Sequence, residues 1–104
     1  MLMINVTKPG DIVSLKLIGG DEVIGKMISD TNGNVILDKP VVLAMGQNGP
    51  TMVPYMLTAD PGVYEFTFKE QHIVHQVPTA KSLGSQYVQG TTGIVQASAS
   101  DLIK

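Results

Sequence analysis

The chain has 104 residues, of which 43% are hydrophobic and 15% are charged. This length predicts one small domain, and the apolar share excludes wholesale disorder. The absence of cysteine excludes disulfides, zinc–thiolate sites and thiol catalysis. All seven cationic side chains are lysines and the net charge is −2, which argues against binding of nucleic acid through bulk charge.

The hydropathy of the chain gives no sign of a membrane span. No segment approaches the roughly 18 consecutive apolar residues that a transmembrane helix needs. The start, residues 1–5, lacks a basic region and is too short for a signal peptide. We therefore expect a cytoplasmic protein.

The first half of the chain predicts two strands and a hairpin turn. Residues 12–18 alternate apolar and polar side chains, the pattern of a half-buried strand. A Gly-Gly-Asp turn leads to a second strand at 22–29, in which the interior Gly25 permits a sharp bend. Residues 30–34 then form a turn around Asn-Gly, the strongest short-range hairpin signal.

Further strands follow at closely spaced turns. The apolar run 35–46 is interrupted by Pro40, which marks a bulge, an edge or a bend. Strands are also predicted at 51–57, 63–68 and 73–77, the last one stopped by Pro78. Five or six short strands separated in this way predict a small all-β barrel or sandwich.

The composition changes after residue 79, where Ser, Gly, Gln, Thr and Ala dominate. Tyr87-Val88 and residues 93–95 are the only plausible apolar anchors there. We therefore predict a barrel over residues 1–79 and a low-complexity, loosely ordered tail over 80–104.

Residues 13–27 resemble the first signature of the Sm and Sm-like (LSm) family. Leu17, Gly20, Gly25 and Met27 occupy its characteristic positions. An Asp-x-x-x-Asn loop follows at residues 30–34, and residues 73–79 are similar to the last strand of the bacterial RNA-chaperone branch. The resemblance covers roughly residues 12–79.

This resemblance implies a strongly bent, five-stranded antiparallel SH3-type barrel. It also implies a homo-oligomeric ring of five to seven subunits joined by strand pairing between neighbours. In the family, the Asp-x-x-x-Asn loop and the loop of the second signature line a pore and hold RNA bases. An aromatic side chain or His stacks on the base, Asn reads its edge and a cation clamps it.

Carried over to this sequence, the candidate RNA-binding residues are Asp30, Asn32, Asn34, Lys69 and His72. Asn32 falls at the stacking position and has no ring. The usual Arg-Gly pair of the second signature is absent, and the nearest substitutes are the lysine and histidine just named, on either side of Glu70. The alternative is that the Asp and Asn only build the turn, and that the lysine and histidine are solvated loop residues.

Other chemistry has little support. His72 and His75 lie three apart, which in a strand places them on opposite faces, so no metal site is predicted. Ser, His and Asp occur outside any nucleophile motif, and no cofactor motif is present, so we expect no enzyme.

The first hypothesis is a Sm-like ring that binds single-stranded RNA weakly as a scaffold or chaperone. The second is an oligomeric protein-interaction module that has lost the RNA site.

Overall fold

The computed structural model describes residues 7–91, which form antiparallel strands followed by a helix. The strands in this part of the chain are β1 (Ile12–Leu17), β2 (Glu22–Thr31), β3 (Asn34–Gly46), β4 (Gly49–Pro54), β5 (Glu65–Lys69) and β6 (Ile73–Pro78). A 3-10 turn at Glu70–His72 separates the last two strands. Helix α1 covers residues 81–91. The predicted all-β class is confirmed.

All the strands belong to one sheet, ordered β4-β3-β2-β1-β6, with β5 also paired to β3. The long β3 therefore has β2 along one side, and β5 and β4 share its other side. The 3-10 turn joins β5, which lies beside β3, to β6, which ends the strand order on the other side. The sheet thus curls so that chain neighbours lie at its two ends.

The inner face of the curled sheet forms the core. Alternate residues of β1, β2 and β3 point inward, as expected for strands with one buried face. The buried cluster consists of Val13, Leu15, Val23, Met27, Val35, Leu37 and Phe68. The alternation seen in residues 12–18 therefore identifies the core-facing residues of β1, Val13 and Leu15.

The β2–β3 ladder is irregular where Gly25 lies opposite Lys39 and Pro40. The β2–β3 register shifts between Ile24 and Lys26, and Gly25 between them is buried. A Cβ on Gly25 would lie 2.9 Å from Cβ of Leu37, closer than side-chain atoms approach. On β3, Lys39 has a φ of 48° just before Pro40. The irregularity predicted at Pro40 is present, and it lies opposite the register shift at Gly25.

Residues 81–91 correct the predicted loose tail. They form α1, whose Tyr87 is 2% exposed. Its hydroxyl accepts a hydrogen bond from the Lys26 N–H at 3.2 Å and donates one to the Asp38 carbonyl at 2.5 Å. Burial, with a smaller contribution from the Asp38 carboxylate, raises the pKa of Tyr87 to about 12. The rest of the predicted tail, 92–104, lies outside the described residues.

Within residues 7–91, no helix is long and apolar enough to cross a membrane.

Candidate nucleic-acid interface

The β2–β3 turn and the corner after β5 together line one open cleft of about 590 Å³. The residues around it are Asn32, Gly33, Asn34, Lys69, Glu70 and Gln71. The first three come from the hairpin turn and the other three from the end of β5 and the 3-10 turn. Two segments far apart in sequence therefore form a single surface.

Backbone hydrogen bonding holds these two segments together. Glu70 donates its N–H to the Gly33 carbonyl at 2.8 Å, and Asn34 is the ladder partner of Lys69. This bond pattern makes Asn34 and Lys69 a non-hydrogen-bonded pair, the arrangement that brings opposite side chains closest. An amide and an ammonium group are thereby placed side by side.

The turn itself follows from its two residues. Asn32 and Gly33 have φ values of 55° and 78°, as a type I′ turn between Thr31 and Asn34 requires. Asn tolerates this left-handed conformation better than most residues, and Gly adopts it freely. The local sequence thus presents Asn32 at the tip of the hairpin, where it is exposed.

The electrostatics of the cleft are balanced. Lys69 makes no ion pair with any carboxylate of residues 7–91, so its ammonium group is available to an anionic ligand. Glu70 is exposed next to it and offsets its charge. The cleft therefore offers amide groups and one cation, with a carboxylate beside them.

Asp30 is turned away from this group. Its carboxylate accepts a hydrogen bond from Gln76 Nε2 at 2.9 Å, and the same nitrogen donates to Thr7 Oγ1 at 2.9 Å. All three side chains are partly buried. Asp30 thus ties β2 to β6, and Gln76 in turn ties β6 to the segment before β1.

His72 also lies apart from the lining residues of the cleft. It ends the 3-10 turn and is exposed, and its carbonyl accepts the Ile18 N–H at 2.9 Å. Gln71, which the sequence reasoning did not single out, lines the cleft instead. The sequence could have indicated Gln71, because it lies between Lys69 and His72 in the same loop.

No aromatic ring lines the cleft. Tyr55 packs against Phe66 and Phe68, with ring centroids 6.1 Å and 5.0 Å apart. Tyr64 lies under the Lys39 ammonium, 5.1 Å from its ring centroid. Base stacking inside the cleft of a single copy therefore has no platform among residues 7–91.

Comparison of the sequence with protein-family models gave no match, and comparison with curated proteins gave no match either. Within the described range, no three His, Cys, Asp or Glu residues are grouped closely enough to hold a metal ion.

Proposed function

We propose that this chain is a Sm-like protein that forms a closed homo-oligomeric ring and binds single-stranded RNA weakly through the cleft at residues 32–34 and 69–71. The observation that carries the proposal is the meeting of Asn32, Asn34 and Lys69 on one surface. These residues were selected from the sequence because of their places in the two RNA-binding loops of that family.

The side chains of the cleft suit this chemistry. Amide groups donate to and accept from base edges, and a lysine ammonium such as that of Lys69 attracts phosphate. Missing stacking removes about 1–3 kcal/mol per base, and Glu70 reduces the positive field. We therefore expect micromolar or weaker affinity that falls steeply with salt.

Assembly into a ring needs strand edges that are free to pair. On one side of β3 the sheet ends in β4 and β5, and the outer edge of β4 is poorly suited to pairing. The β3–β4 turn closes on the pair Gly46 and Gly49, and Tyr55 continues the ladder by donating its N–H to the Pro40 carbonyl. Backbone groups alternate between the two sides of a strand. Pro50, Met52 and Pro54 consequently face outward, and the prolines offer no N–H.

The outer edge of β5 is open. Phe66 and Phe68 direct their backbone groups toward β3, because they alternate in phase with Tyr64 and Glu70, which bond to the backbone of Lys39 and Gly33. Glu65, Thr67 and Lys69 therefore present N–H and C=O groups outward. At the far end of the sheet, β6 likewise has a free edge within the described residues. Pairing of β5 from one copy with β6 from the next would join copies head to tail, and such contacts form rings when they close.

A scaffold function is the second candidate. Glu70 beside Lys69 and the absence of an aromatic residue from the cleft favour a ring that engages proteins and not RNA. The two candidates share the assembly and differ only in the ligand.

RNA binding is tested by fluorescence anisotropy with labelled homopolymer RNAs across a salt series. Lys69→Ala should weaken binding uniformly and flatten the salt dependence, since it removes a phosphate contact. Lys81→Ala, a lysine of α1 away from the cleft, is the matched control and should bind as wild type does. Absence of binding at low salt would favour the scaffold function.

Assembly is tested separately with edge-blocking prolines. Thr67→Pro removes an outward N–H of β5 without removing a bond to β3, and it should break the oligomer into single copies. Met52→Pro makes the same change on the closed β4 edge and should leave assembly intact. Light scattering measures both, and equal behaviour of the two variants would contradict pairing through β5.

A further inference from the structure

Asn-Gly occurs at two of the exposed hairpin tips of the sheet. Asn32-Gly33 joins β2 to β3, and Asn48-Gly49 joins β3 to β4. Asn is a thermolabile residue. When glycine follows it, the glycine backbone nitrogen can attack the Asn side-chain carbonyl without hindrance, because glycine has no Cβ. The chain therefore carries two identical dipeptides in two different backbone settings.

The backbone nitrogen that would react is bonded at one tip and not at the other. Gly46 and Gly49 are ladder partners closing their turn, so the Gly49 N–H is directed to the Gly46 carbonyl. Gly33 uses its carbonyl, which accepts the Glu70 N–H. Its own N–H has no partner among residues 7–91.

We propose that Asn32 is a site of spontaneous deamidation that alters the charge of the cleft. The Gly33 nitrogen loses its proton and attacks Cγ of Asn32, forming the N–Cγ bond. The Cγ–Nδ2 bond breaks, and the nitrogen leaves as ammonia. Water then opens the cyclic imide to a carboxylate, as aspartate or isoaspartate, with no oxidation or reduction.

The product changes the surface on which the proposed function rests. A carboxylate at position 32 joins Glu70 around Lys69, so the net charge of these side chains moves from zero to −1. Phosphate would be repelled where it was weakly attracted. Deamidation would therefore switch off RNA binding irreversibly as the protein ages.

The experiment incubates the full chain at mildly alkaline pH and follows both sites by peptide mass spectrometry with fragment-level localisation. Localisation also separates Asn32 from Asn34, whose β-branched successor Val35 hinders attack. In the folded chain, Asn32 should convert several-fold faster than Asn48. In concentrated urea, the two rates should become equal, since the dipeptides are identical.

Equal or faster conversion of Asn48 in the folded chain would overturn the proposal, as would no conversion of Asn32. The consequence is measured independently with Asn32→Asp, which should weaken RNA binding several-fold, against Asn48→Asp as the control. If wild type binds no RNA, the proposed function fails while the conversion rates still decide whether Asn32 is the reactive site.

Discussion

Tyr87 occupies a break in the β2–β3 ladder. The register shift beside Gly25 separates the backbone groups of Lys26 and Asp38, which are ladder partners. The Tyr87 hydroxyl lies between them, accepting from the Lys26 N–H and donating to the Asp38 carbonyl. One side chain from outside the sheet thereby satisfies polar groups that the bend leaves open.

Tyr87→Phe should destabilise the protein by about 1–3 kcal/mol, because it leaves a partly buried donor and acceptor without partners. Tyr64→Phe is the matched control, since the Tyr64 ring is 50% exposed. Its free energy of unfolding should stay within about 0.5 kcal/mol of wild type. Equal effects in urea denaturation would show that the Tyr87 hydroxyl contributes nothing.

The pH dependence of stability follows from the same hydroxyl. The pKa of Tyr87 is raised to about 12 in the folded state, against about 10 for an unfolded tyrosine. Its stabilising contribution is therefore complete below pH 10 and is lost as the pH rises toward 12. Wild type should lose more stability over this window than Tyr87→Phe, in urea titrations at stepped pH. If the stability of wild type and of Tyr87→Phe fell in parallel with pH, the Tyr87 hydroxyl would not be the cause of the pH dependence.

Gly25 fits only because it has no side chain. A Cβ there would collide with Leu37 in the core, so Gly25→Val should misfold or lose well over the ~1 kcal/mol of a propensity change. Gly19→Val is the control, because no atom lies within 4 Å of a Cβ built at Gly19. Thermal unfolding measures both, and an unchanged melting temperature for Gly25→Val would refute the bend.

At the scale of elements, strands were predictable and the helix was not. Alternation predicted β1, because one buried face imposes a period of two, and turn residues between apolar runs separated the strands that follow. Helix α1 contains Gly84 and Gly90, which oppose helix formation, and buries Tyr87 alone. Its docking depends on the hydrogen bonds of Tyr87 to Lys26 of β2 and Asp38 of β3. No local sequence pattern predicts these contacts.

The candidate site was predictable to a similar degree. Asn32, Asn34 and Lys69 were selected from loop positions, and the ladder between β3 and β5 brings them together. The hydrogen bond from Gln76 to Asp30 joins residues 46 positions apart, which spacing within one loop does not predict. Gln71 was missed because its side chain carries no charge or ring.

Docking of α1 should be visible in limited proteolysis. Chymotrypsin should cleave wild type slowly after Leu83 and Tyr87, since Tyr87 is buried. Tyr87→Ala removes the anchor, so the helix should detach and be cleaved much faster at Leu83. If wild type and variant are cut at the same rate, the helix is not held by this residue.

At the scale of the whole molecule, the hairpin of β3 and β4 projects an uncharged surface. Residues 41–58 contain no charged side chain, and Leu43 and Met45 on one face of β3 are 41% and 80% exposed. An exposed apolar hairpin is a liability for a lone chain. The outward prolines of β4 protect its edge and leave this face exposed.

Native mass spectrometry of the full chain at micromolar concentration tests the central claim most directly. We predict a single closed species of five to seven copies, with Thr67→Pro giving single copies under the same conditions. A spectrum of wild type containing only monomer would contradict the ring, and with it the proposal that the clefts of several copies act together on RNA.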